Sequence, residues 1–162
     1  MSNATADKRP TTPPPGAHRK IVAIHRYWQS LAPGGGLLPS RSDIDPVQIP
    51  ELLENIWLVD ILAAPPRFRL RLAGEALHRM GFRLKRGEFL EDYMAPDDPP
   101  LEDFRFLAET GQPVWFRGQA FAPHASTVSE LERIALPLAA DGVAVDAMLC
   151  LTVFYTLDGE EV

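Results

Sequence analysis

At 162 residues and 18.0 kDa the chain has the length of one domain, and its 46% hydrophobic content is enough to bury a core without a metal or disulfide staple. The single cysteine, Cys150, excludes an internal disulfide, and no Cys-x-x-Cys pair or Cys/His cluster offers a structural zinc site. With a net charge of −6 and scattered arginines the chain lacks the electrostatic footprint of a nucleic-acid binder. No apolar run approaches the ~20 residues of a membrane span and no signal core follows Asp7, Lys8 and Arg9, so a cytoplasmic protein is expected.

Residues 1–16 are rich in proline and Ser/Thr and carry no apolar period, which predicts a disordered tail. Ser2-Asn3-Ala4 also resembles a vector-derived scar. Ile21, Ile24, Trp28 and Leu31 then fall on one stripe of a helix over 17–32, which ends at Pro33-Gly34-Gly35-Gly36. These glycines lack the following Lys-Ser/Thr of a phosphate loop and read as a linker. In the segment from Ser40 to Pro46, Asp45 is a natural N-cap before proline, and short helical turns are expected to about Glu54, divided by Pro50. Asp43-x-Asp45 lacks further carboxylates at calcium-loop spacing, so the pair reads as capping and no metal is assigned.

The period then changes. Ile56–Leu62 is rich in β-branched residues and closes at Ala63-Ala64-Pro65-Pro66, while Arg67–Leu72 alternates, with Phe68, Leu70 and Leu72 on the core face and Arg67, Arg69 and Arg71 on a solvated or salt-bridged face. These two strands form a hairpin. A short helix runs from Gly74 to about Met80, stopped by Gly81, and broken helical turns continue to Met94. Asp97-Asp98-Pro99-Pro100 caps and starts a helix over 99–110 that buries Leu101, Phe104 and Leu107 and ends at Gly111. Three more strands follow, Val114–Phe121, Glu130–Leu138 and Val143–Tyr155, the last two joined through Asp141-Gly142. Two strands, helices and a three-strand meander give an α+β domain on one five-stranded antiparallel sheet. The last strand is apolar on both faces near its end, so the stripe of Ile21, Ile24, Trp28 and Leu31 is the expected cover for the outer face, from its own chain or a second copy.

Leu72-Ala73-Gly74, Gly81-Phe82, Arg86-Gly87-Glu88-Phe89-Leu90-Glu91 and Pro96-Asp97-Asp98, in this order, resemble the motifs of the PAS domain family from about Ile56 to Tyr155. Trp28, the run Leu38–Pro46, Leu58-x-Asp60, Arg69-x-Arg71 and Leu136-Pro137-Leu138 further resemble a compact, mostly uncharacterised bacterial PAS subfamily in which the domain is nearly the whole protein. The resemblance implies a PAS-like fold over 56–155, preceded by the helix and connecting segment of 17–55 and followed by a tail over 156–162. It also implies a sensory or regulatory module with an apolar cavity between sheet and small helices, often dimeric through the N-terminal helix. PAS photosensors that form a flavin–cysteine adduct carry the cysteine in a polar helical motif; Cys150 lies in the last strand and does not support that chemistry, nor a cinnamoyl-type chromophore. Haem through an axial histidine leaves His78 as the one candidate, with a half-exposed helix residue as the plainer reading; His18, His25 and His124 stand elsewhere.

Broken helices cover a sheet loosely, and the space beneath them is the expected ligand site, mostly apolar, lined by Leu77, Met80, Phe89, Tyr93, Phe104, Leu107 and Met148, with the Tyr93 hydroxyl as a polar handle. The chain has no Gly-x-Ser-x-Gly elbow, and Asp97 with Asp98 reads as helix capping rather than an acid–base pair, so no catalytic residue is assigned. Three readings follow: a ligand-sensing module that signals through a homodimer or a protein partner, an interaction module with a filled core, and a small-molecule α+β enzyme, the last disfavoured because no paired polar groups mark a cavity floor. No output domain follows the last strand, so signalling is expected to pass through a partner.

Overall fold

A computed structural model of the chain describes residues 9–62, 64–94, 98–119 and 128–162. Expectations that fall on Pro96, Asp97, Phe121, His124 and the Ser2-Asn3-Ala4 run lie outside the described residues. Helix α1 spans Arg19–Leu31, with His18 as its N-cap: the His18 Nδ1 accepts from the Lys20 N–H at 3.0 Å. It stops because Pro33 forces the preceding Ala32 into extended backbone. Three tight turns follow, Arg41–Asp43, Pro46–Gln48 and Pro50–Asn55, with Asp43 and Asp45 both consumed as caps. Strands β1 (Ile56–Leu62) and β2 (Arg67–Ala73) form the hairpin, α2 is the short helix Glu75–Arg79, and α3 is Pro99–Thr110. Strands β3 (Val114–Gln119), β4 (Val128–Leu138) and β5 (Ala147–Thr156) complete a sheet of order β2-β1-β5-β4-β3, antiparallel throughout.

Two glycines are set by the fold. Gly111 ends α3 at φ 69°, the left-handed conformation in which a side chain is strained. At Gly74, where β2 leaves the sheet, an added Cβ would run into the carbonyl oxygens of Leu53 and Glu54.

The sheet separates two cores. On the inner face Trp57, Val59, Phe68, Leu70, Met148, Cys150 and Phe154 pack under α2, the turn Leu90–Asp92 and α3. On the outer face Ile134, Leu136, Leu138, Leu149 and Leu151 pack under α1. Ile21 and Ile24 are fully buried there, and the Trp28 indole donates to the Pro137 carbonyl at 2.8 Å. Of the apolar stripe that was expected to seek either its own sheet or a second copy, Ile21, Ile24 and Trp28 pack on the sheet of their own chain, Ile21 and Ile24 offer no free interface surface, and Leu31 is half-buried outside that core.

Three local expectations are corrected. Leu72 does not join Phe68 and Leu70: the register shifts so that Val59 faces Leu70 but Leu58 faces Leu72, and this bulge turns Leu72 to the outer side, 56% exposed. Val143 and Val145 precede β5 rather than lying in it, because the Asp141 carboxylate accepts from the N–H groups of Val143 and Ala144, which favours a turn over a ladder. Finally, the described residues of the segments expected as tails, 9–16 and 156–162, make specific contacts. The Pro10 carbonyl accepts from the Trp115 N–H of edge strand β3 at 2.9 Å, and Glu161 pairs with Lys20 at 2.9 Å and His18 at 2.8 Å. The edge strand offers unpaired backbone groups, and the buried end of Lys20 needs a carboxylate. Arg69 and Arg71 are salt-bridged, sharing Asp60 with Arg41.

Glu132 anchors the outer layer. Fully buried in β4, it accepts from the Tyr155 hydroxyl at 2.9 Å, the Trp115 indole at 2.9 Å and the His18 N–H at 3.1 and 3.2 Å, so it fixes the start of α1 to the sheet. An amide cannot accept at both ends. Glu132→Gln is therefore expected to lower stability by about 1–3 kcal/mol in urea unfolding through the donors it strands; an unchanged unfolding midpoint would refute this role.

Candidate ligand cavity

Beneath the small helices the inner face is not completely filled. A cavity of about 110 Å³ has a sheet floor of Trp57, Leu131, Arg133, Thr152 and Phe154, walls of Leu77, Leu84, Leu90 and Phe104, and a mouth at Arg83, Tyr93, Met94, Asp98 and Pro100. The floor follows from strand alternation: Leu131 and Arg133 on β4, and Thr152 and Phe154 on β5, point inward while Glu132 and Val153 point outward. Aromatic rings shape it, with Trp57 against Phe82 and against Phe104, each at 5.7 Å between centroids.

Against the expectation from sequence that no paired polar groups mark the cavity floor, the floor carries an arginine–aspartate pair and a hydroxyl. Arg133, its side chain 7% exposed, pairs with the Asp103 carboxylate of α3 at 3.1 Å, and the guanidinium lies 5.0 Å from the Phe104 ring and 5.2 Å from the Phe116 ring. Burial lowers its pKa, opposed by the charge and hydrogen bond of Asp103. Directly across the strand pair stands Thr152, whose hydroxyl oxygen accepts from the Trp57 indole at 3.0 Å and whose carbonyl accepts from Asn55 at 2.9 Å. Asp103 also takes a bond from Arg9 at 2.8 Å.

Of the lining expected from sequence, the structure brings Leu77, Tyr93 and Phe104 to the cavity. Met80, Leu107 and Met148 are buried in the same core without lining it, and the Phe89 ring lies under the Arg67 guanidinium at 3.8 Å, beside β2. The Tyr93 hydroxyl, expected as a handle for ligand, instead donates to Glu88 at 2.8 Å at the surface. Arg133, Asp103 and Thr152 were not singled out from sequence; the one signal was the charged pair Glu132-Arg133 inside the apolar run from Leu131 to Leu138.

Neither cofactor weighed from sequence fits. His78 is exposed, with Nδ1 3.3 Å from the Phe82 carbonyl, and the cavity is far too small for a tetrapyrrole. Cys150 is fully buried in β5 with its thiol pushed up to about 12 by desolvation, against the opposing charge of Arg133, which is the environment of an inert thiol rather than of an adduct-forming one. Among the described residues no group of three His, Cys, Asp or Glu side chains could hold a metal ion, and no helix is long and apolar enough to cross a membrane.

The five-stranded sheet with its small helices and a cavity beneath them agrees with the comparison of the sequence against family models, in which the model described as PAS domain matches residues 17–152. The chain belongs to the PAS domain family. Domains of this family are typically sensory or interaction modules and commonly mediate protein contacts and dimerisation. Comparison with curated proteins and with solved structures returns no significant match.

Proposed function

We propose that this PAS domain protein is a non-enzymatic sensory module of the cytoplasm, built on residues 17–155, that binds a small, mostly apolar molecule in the cavity and passes its occupancy to a second copy or another protein. The observation that carries this reading is the cavity itself: an apolar space left open under α2 and α3, with aromatic walls and a few polar groups converging on one side of its floor. Helices that close over such a space respond to its filling, and the contacts of α3 with β3 and β4 link that response to the sheet.

A second reading, an interaction module that uses no ligand, is favoured by one observation: about 110 Å³ is below the roughly 300–1,000 Å³ of usual ligand pockets. Filling the cavity separates the two. Leu107, fully buried away from the space, is the wrong position for this; Leu131 lines it. Leu131→Trp is expected to abolish retention of small molecules in native mass spectrometry while leaving the melting temperature within a few degrees. Loss of about 1–3 kcal/mol from overpacking, with no molecule retained by the parent protein, would support the interaction module instead.

A further inference from the structure

We propose that the outer face of the β1–β2 hairpin carries an oxyanion site in which Arg41, Arg69 and Arg71 hold a phosphoryl group, free or on a small phosphomonoester. The site lies across the sheet from the cavity and does not depend on it.

The hairpin brings the three guanidinia to one place. Trp57, Val59 and Ile61 of β1 face the inner core and Ile56 and Leu58 the outer one, so alternation turns Asp60 outward, opposite Arg69. The bulge in β2 makes Arg71 the extra residue between Leu70 and Leu72 and aims it at the same carboxylate. Arg41 arrives from the turn Arg41–Asp43, held by a capping box in which the Ser40 N–H donates to Asp43 and the Ser42 N–H to the Ser40 hydroxyl.

One carboxylate does not satisfy three arginines. Asp60 lies 3.2 Å from Arg71, 3.4 Å from Arg69 and 3.6 Å from Arg41, each longer than the roughly 2.7–2.9 Å of a charge-assisted hydrogen bond. The Nη1 of Arg41 is shielded from solvent and has no hydrogen-bond acceptor among the described residues. No other carboxylate of the described residues comes within ion-pair distance of these guanidinia. The neighbouring Asp43 and Asp146 accept instead from the backbone N–H groups of Ser40 and Ala140. Asp60, with its side chain 13% exposed, thus ties the inner side of the cluster, while the half-exposed guanidinia present further donors at the surface.

These donors select the ligand. Three planar forks from three chain positions match the three terminal oxygens of a phosphoryl group, whereas a carboxylate offers two oxygens that a single fork fills. The charge of a phosphomonoester, about −1.5 to −2 at neutral pH, suits three cations over one anion. A net charge of −6 gives the chain no general attraction for anions, so the local donors supply the affinity.

The test is chemical-shift titration of the arginine Nε–H groups of the full chain with inorganic phosphate, glycerol 3-phosphate, glycerol and acetate at fixed pH and ionic strength. The two phosphates are expected to shift Arg41, Arg69 and Arg71 saturably and at least tenfold more tightly than acetate, with glycerol silent. Tighter binding of glycerol 3-phosphate assigns the site to a monoester, and equal binding to the free ion; both uphold the phosphoryl group. Arg41→Gln and Arg69→Gln are each expected to weaken binding at least fivefold, and Arg117→Gln, on β3 at the opposite edge of the sheet, to leave it unchanged. Acetate binding as tightly as phosphate, an equal loss in Arg117→Gln, or no saturable shift in the parent protein would overturn the proposal. The comparison of anions on the parent protein decides even if a variant does not fold, and its failure leaves the reading of the cavity standing.

Discussion

Asp103→Ala is expected to destabilise the protein by about 3–5 kcal/mol, whereas Arg133→Met should leave stability within about 1 kcal/mol of the parent. The asymmetry follows from desolvation. Removing the carboxylate strands a guanidinium whose side chain is 7% exposed between two aromatic rings, an uncompensated buried charge. Removing the guanidinium with a side chain of similar volume keeps the packing against Phe104 and Phe116, and Asp103, 15% exposed, keeps Arg9 as its partner. Urea unfolding of the two variants checks this. A loss as large for Arg133→Met as for Asp103→Ala would mean that the arginine serves the fold. Near-neutrality leaves its retention in an apolar floor to be explained by a ligand.

Deleting residues 1–33 should eliminate the soluble, folded monomer. α1 is the cover of the outer core: Ile21 and Ile24 fill it, Trp28 bonds to Pro137, and the His18 N–H satisfies Glu132. Without these, Leu136, Leu138, Leu149 and Leu151 form a contiguous apolar sheet face, and Glu132 and Asn55 lose partners. Size-exclusion chromatography of the truncated chain is expected to give aggregate or a new assembly that buries this face. A truncated protein that stays monomeric with an unchanged melting temperature would contradict the role given to the helix.

Much of the architecture is written in local pattern. The stripe of Ile21, Ile24 and Trp28, the hairpin around Pro65-Pro66, the Pro99-Pro100 start and Gly111 stop of α3, and the two-faced apolar β5 all rest on periodicity and backbone chemistry that need only neighbouring residues. The bulge at Leu72 was not legible, because strict alternation from Arg67 to Leu72 hides a register shift that arises only when β1 is paired. The β5 start was misjudged because Val143 and Val145 continue the alternation while the competing bonds of Asp141 act through the backbone.

The candidate site was less legible for a related reason. Glu132 and Arg133 look like one charged interruption of a strand, yet they point to opposite faces and are buried under different covers. Each is satisfied from far along the chain, Glu132 by Tyr155 and His18, Arg133 by Asp103. Apolar lining was predicted from the placement of broken helices over the sheet, which named Leu77, Tyr93 and Phe104, all three at the cavity, but could not separate them from Met80, Leu107 and Met148 in the filled part of the same core.

The central claim, that the space under α2 and α3 is a ligand site, is tested most directly by backbone and methyl chemical-shift mapping of the full chain during titrations with small, mostly apolar molecules, butan-1-ol and butyrate among them. The account predicts saturable shifts at Leu77, Leu131, Arg133, Thr152 and Phe154, with Leu136 and Leu149 on the far face of the same strands unmoved. Shifts confined to the outer face, or no saturable shift with any of these molecules, would contradict it.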